Sequence, residues 1–134
     1  MAEQDNVQVV KDAYAAFGRG DIPAVVNACA PEVEWTIPGG SGIPVAGTFH
    51  GREGVAQFFQ ALGEHQTARQ FEPREFIAQG DKVVVLGHYQ WLIERTGKPY
   101  ECDWVHVFTI RDGGVVRFQE YSDTAAEAEA YRGG

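Results

Sequence analysis

The sequence predicts an α+β fold: a curved, mostly antiparallel sheet folded over helices around a pocket. Three observations carry this. Apolar residues recur at helical spacing through the first part of the chain. They alternate at period two through the last part, where Gly80-Asp81, Thr96-Gly97-Lys98-Pro99 and Asp112-Gly113 mark turns between strands. Helices at one end and hairpin-linked strands at the other define α+β. The third observation is length: 134 residues make a single domain, 1–134, large enough to bury a core without a disulfide or metal staple.

The elements follow in order. Val7, Val10, Tyr14 and Phe17 form one stripe of a helix from Gln4 to Phe17, which Gly18 and Gly20 stop. Asp21 caps a second short helix with Pro23 in its first turn; its apolar positions are Ile22, Val25, Val26 and Cys29, and Pro31 ends it. Val33 to Ile37 alternates as a strand, and Pro38 to Pro44 is a loop. A third helix, Arg52 to His65, buries Val55, Phe58, Phe59 and Leu62. Four strands then run from Gln70 to Ala78, Lys82 to Glu94, Tyr100 to Ile110 and Val115 to Ser122. Thr124-Ala125-Ala126-Glu127 reads as a capping box opening a terminal helix, with Asp123 at its N-cap or first turn.

Composition excludes several functions. Eleven Lys and Arg against nineteen Asp and Glu give a net charge of −8, which offers no basic face for nucleic acid or an anionic membrane. No apolar run reaches the ~20 residues that span a bilayer. MAEQDNVQVV lacks the apolar segment of a signal peptide, and Cys29 and Cys102 stand alone as reduced thiols, so a cytoplasmic location is expected. His50, His65, His88 and His106 have no metal-ligand spacing. There is no phosphate loop, nucleophile elbow or dinucleotide fingerprint, so neither metal nor cofactor is expected.

Side chains alternate faces along a strand. In the third and fourth strands of the meander the even positions are the more apolar and should face the helices. They include Trp104, His106, Phe108, Phe118 and Glu120. Extending that parity to the second strand turns His88 and Gln90 inward, and leaves Tyr89 and Trp91, with Val105 and Val107, as an outer apolar patch fit for a homodimer interface. An inward Glu among aromatics needs a partner or a wet cavity, which points to a lined pocket for a small apolar ligand. A two-residue turn at Asp112-Gly113 places His106 opposite Gln119; one extra residue places it opposite Glu120, as the parity requires.

The segments AYAAFGRGDIPAVVNACAPEVEW, FHGREGVAQFFQAL and HVFTIRDGGVVRFQEYSD resemble the SnoaL-like proteins, in the superfamily of ketosteroid isomerase, limonene epoxide hydrolase and nuclear transport factor 2. The resemblance implies a cone-shaped α+β barrel, its sheet wrapped over three N-terminal helices with a short C-terminal helix. Ile37 stands where ketosteroid isomerase has its general base, and the limonene epoxide hydrolase set falls near His88, Gln90 and Glu120 without its chemistry. The His and Asp of the SnoaL-type cyclases fall at His106 and Glu120. The expected function is therefore cofactor-free isomerase, cyclase or hydrolase chemistry on a small apolar carbonyl or epoxide. The catalytic candidates are His106 and Glu120. Tyr14, Trp35, Ile37, Phe59, His88, Gln90, Trp104, Phe108 and Phe118 are expected to contact substrate. A binding protein with the same pocket and no chemistry is the alternative.

Overall fold

The first apolar stripe becomes α1, Ala2–Gly18, in a computed structural model that describes residues 2–133. The second helix, α2 (Ile22–Asn27), is capped as expected, the Asp21 side chain accepting from Ala24 N at 3.2 Å. Pro31 does not end that helix. It lies inside β1, Cys29–Ile37, at a register shift between Cys29 and Glu34 where a missing backbone N–H is tolerated. A strand absent from the sequence expectations, β2 (Gly47–His50), pairs with the outer edge of β1. Then come α3 (Gly51–His65), β3 (Gln66–Gln79), β4 (Lys82–Ile93), β5 (Pro99–Arg111), β6 (Gly114–Tyr121) and α4 (Thr124–Tyr131).

The six strands form one sheet in the order β2-β1-β6-β5-β4-β3. Every pairing is antiparallel except β1 with β6. The helices cover the concave face, and the buried core lies between, so the architecture is the cone-shaped α+β fold. Asp123 caps α4, accepting from Ala126 N at 3.0 Å. The Thr124 capping box does not form; Glu127 turns into the protein instead, 3 % exposed.

One inferred face is corrected. Ile93 N bonds Lys98 O across the connection after β4, so odd residues of β4 pair with even residues of β5, as Val85 does with His106. Tyr89 and Trp91 therefore face inward and are buried, while His88 and Gln90 lie on the outer face. His88 spends its ring nitrogens there on Asp103 (2.8 Å) and Glu101 (2.9 Å), whose carboxylates raise its pKa. The outer apolar patch consequently loses Tyr89 and Trp91. Its members are Val105 and Val107, flanked by Val84 and Leu86 on β4, with Ile77 (52 % exposed) and Tyr121 (56 %) at its margins.

Gly87 on β4 faces Trp104 on β5. A Cβ built on Gly87 would lie 2.3 Å from Trp104 Cζ2 and 2.6 Å from the Glu72 carbonyl oxygen, so only glycine lets the indole lie flat over this strand. Gly87→Ala should destabilise the fold by about 1–3 kcal/mol through overpacking, read as a lower urea midpoint with altered tryptophan fluorescence. An unchanged midpoint would show that Trp104 is free to move aside.

Candidate functional site

The helices and the concave face of the sheet enclose a cavity of about 80 Å³. One water needs only ~10–15 Å³ measured this way, so the space admits an organic ligand or several waters. Its walls are mostly aromatic. Of the residues expected to contact substrate, Tyr14, Trp35, Ile37, Phe59, Phe108 and Phe118 line it, as do His106 and Glu120. His88 and Gln90 do not, for the parity reason given above. Trp104 does not reach it either: held over Gly87, it packs behind His106, the two rings stacked with centroids 3.9 Å apart.

His106 and Glu120 are directly opposite each other on β5 and β6. The turn between them is a two-residue one, with Asp112 at φ 52° and Gly113 at φ 78°, the left-handed conformations of a type I′ hairpin. By itself this turn would set His106 against Gln119. A register shift between Thr109 and Ile110 supplies the extra residue and moves Glu120 into place. Glu120 Oε1 lies 2.9 Å from His106 Nε2. On the other side of the ring, the Tyr14 hydroxyl of α1 lies 2.7 Å from Nδ1. The result is a continuous Tyr14–His106–Glu120 chain, 4 % exposed at its centre.

Burial pushes the His106 pKa down, and contact with Glu120 only partly opposes it. A neutral imidazole has one N–H. Two proton arrangements satisfy the chain: Nε2–H donating to a carboxylate with Nδ1 accepting from Tyr14, or a carboxylic acid donating to Nε2 with Nδ1–H donating to the Tyr14 oxygen. Burial, and then the Glu120 charge, raise the Tyr14 pKa well above that of a free phenol, so Tyr14 remains protonated and able to donate.

A second polar cluster was not anticipated. Glu127 of α4 lines the same cavity and accepts from Gln66 Nε2 at 2.8 Å. Gln66 Nε2 also donates to the Tyr131 hydroxyl at 2.7 Å, and Tyr100 donates to Gln66 Oε1 at 3.3 Å. Burial pushes the Glu127 carboxyl up to about 7. The sequence offered one signal, a Glu in an Ala-rich helix, which the capping-box reading absorbed. Among the described residues, no group of three or more His, Cys, Asp or Glu is arranged to hold a metal ion, and no helix is long and apolar enough to cross a membrane.

The family model of the SnoaL-like domain matches residues 10–118. Among solved structures, an NTF2-like protein from Burkholderia xenovorans LB400 is 40% identical, with a TM-score of 0.89 over 98% of this chain and 99% of that one. TerC, co-crystallised with polyporic acid, is 34% identical, with a TM-score of 0.86 over 96% of this chain and 99% of its own. An uncharacterised Mycobacterium tuberculosis protein is 26% identical over 127 residues, 94% of this chain and 95% of that protein.

Glu127 makes a prediction about stability. Burial pushes its carboxyl up to about 7 in the fold, against the ordinary 4.5 when unfolded. Between those values the folded state holds a proton that the unfolded chain releases, so stability falls as pH rises through the window, by about 3 kcal/mol. Glu127→Gln should remove that loss and be the more stable form at pH 8, measured by urea denaturation across pH. Parallel pH profiles for the two proteins would place the Glu127 carboxyl in an ordinary environment.

Proposed function

We propose, from the premise that the chain belongs to the SnoaL-like family, that it is a cofactor-free enzyme of the isomerase, cyclase or hydrolase kind. Its substrate is a small apolar carbonyl or epoxide compound, and Glu120 exchanges a proton with it. The observation that carries this is the Tyr14–His106–Glu120 chain set in the wall of an otherwise aromatic cavity. On a carbonyl substrate, the Glu120 carboxylate takes a proton from the carbon beside the carbonyl. The C–H electron pair moves into the enolate, and Glu120 returns the proton to carbon. The Tyr14 hydroxyl, turning from Nδ1 into the cavity, donates to the developing oxyanion. His106 has both nitrogens engaged, so it acts through its neighbours: it orients Glu120 by Nε2 and holds Tyr14 at the cavity wall by Nδ1. The co-crystal of TerC with polyporic acid supports an organic ligand in a cavity of this kind.

A binding protein without chemistry is the second reading. It is favoured by the fact that the protein itself satisfies both ring nitrogens of His106, as it would for a core histidine. Deuterium uptake by 2-tetralone at its α-carbon, followed by NMR, separates the two. Exchange should fall at least about 100-fold in Glu120→Gln. His106→Ala should lower it and displace its pH profile, and the double variant should be no worse than Glu120→Gln alone. Exchange that persists in Glu120→Gln would leave the cavity as a passive binding site.

The proposal extends to assembly. Ile77, Val84 and Val107 lie side by side across three strands on the outer face, beside a second row of Leu86, Val105 and Tyr121. This apolar band suits an isologous contact with a second copy of the chain. Val107→Glu should convert a dimer into a monomer in sedimentation; a parent that already sediments as a monomer, or a variant that stays dimeric, would remove this face from consideration.

A further inference from the structure

We infer that Glu127, held by Gln66, is a second ligand-binding pole of the cavity, so that the ligand is a flat, uncharged molecule carrying an oxygen function at each end of an apolar body. This rests on the cavity being the ligand site, which both readings above share.

The two polar groups of the cavity come from different parts of the fold. His106 and Glu120 sit on β5 and β6, while Glu127 comes from α4 and Gln66 from the start of β3. Tyr100 begins β5 beside Gln66, and His106 follows six residues along the same strand. Tyr89 lines the cavity within reach of both poles, since, after burial, the charges of Glu120 and Glu127 each raise its pKa, and it packs on Phe71, which also lines the cavity, with ring centroids 6.0 Å apart.

Hydrogen-bond accounting shows which member of the cluster has capacity left. Gln66 has no donor left: Nε2 donates to Glu127 and Tyr131, and Oε1 already accepts from Tyr100. A carboxyl has about four acceptor sites, and the one hydrogen bond that Glu127 receives comes from Gln66. The remaining capacity belongs to a side chain that borders the cavity. A tie between α4 and β3 alone is better made by a leucine, which carries no desolvation cost. With its carboxyl raised to about 7, Glu127 both donates and accepts near neutral pH, which suits a phenol or a carbonyl. Among the described residues no Lys or Arg lines the cavity, so an anionic end group would find no counter-charge there.

The test compares two rigid probes, 2-naphthol and 2,6-dihydroxynaphthalene, by titration calorimetry on the full chain. The parent should bind the diol about tenfold or more tightly than the mono-ol, the worth of one hydrogen bond to an ionisable group. Glu127→Leu should bring that ratio close to one while leaving 2-naphthol affinity within about threefold. Glu127→Met, which keeps a straight helix-compatible chain, should do the same and serves if the leucine variant does not fold. Equal affinities in the parent, no binding of either probe, or a ratio unchanged in a folded Glu127 variant would each overturn the inference. The last outcome, with a lowered melting temperature, would make Glu127 a structural tie. The 2-tetralone exchange depends on Glu120 and not on this ratio, so either idea can fail without the other.

Discussion

His106 and Glu120 meet because β5 and β6 are out of step with their own turn by one residue. The type I′ hairpin at Asp112-Gly113 starts the pairing with Arg111 against Gly114, and left alone it would carry Glu120 to the outer face, into water. The shift between Thr109 and Ile110 corrects this after the first pairs. Everything polar in this wall depends on that correction. Glu120 reaches Nε2, the other ring nitrogen is left for Tyr14, and α1 acquires a hydrogen-bonded contact with the sheet in addition to its apolar stripe. The extra residue is Val116 on β6, unpaired between Val115 and Arg117, and opposite it Thr109, buried on the outer side, accepts from Lys82 Nζ at 2.7 Å.

The aromatic packing behind the pair fixes how His106 can behave. Trp104 lies against one side of the imidazole at 3.9 Å, Tyr14 is stacked with it at 5.9 Å, and Phe118 meets it edge-on at 4.8 Å. Phe118 itself stacks on Trp35 at 4.0 Å. A ring held this way keeps Nε2 aimed at Glu120 and Nδ1 at Tyr14. Gly87 belongs to the same arrangement, since the indole occupies the space that any side chain there would need.

The sequence was legible where a single pattern decided the outcome. The helical stripes, the three hairpin turns, the Asp21 and Asp123 caps and the inward set of β5 all follow from local chemistry. It was not legible where two patterns were equally good. Both faces of β4 are apolar, so composition could not orient it; the bond from Ile93 to Lys98, which depends on the loop geometry, did. That one ambiguity misplaced His88, Gln90, Tyr89 and Trp91 together, as a one-residue slip must. Glu127 was hidden for a different reason. A Glu three residues after a Thr fits a capping box, and only the competing cap from Asp123 releases it for the interior. The edge strand β2, four residues long and largely exposed, has no apolar alternation to announce it.

The distribution of charge narrows what the cavity can hold. Burial drives His106 toward its neutral form and Glu127 toward its protonated one, so folding releases a proton at one pole and takes one up at the other. Their effects on stability run in opposite directions between about pH 4.5 and 6.5. Acidification penalises a fold that keeps His106 neutral, and it favours a fold that keeps Glu127 protonated, so the two slopes partly offset. The cost of keeping these groups inside is real, because apolar residues of similar volume would close the same space with less desolvation. A cavity that keeps polar groups at two places, surrounds them with aromatic rings and, among the described residues, is lined by no Lys or Arg suits a ligand of matching character. Such a ligand is neutral, has faces that stack or pack flat, and carries hydrogen-bonding atoms where the wall has Tyr14 and Glu120 on one side and Glu127 on the other.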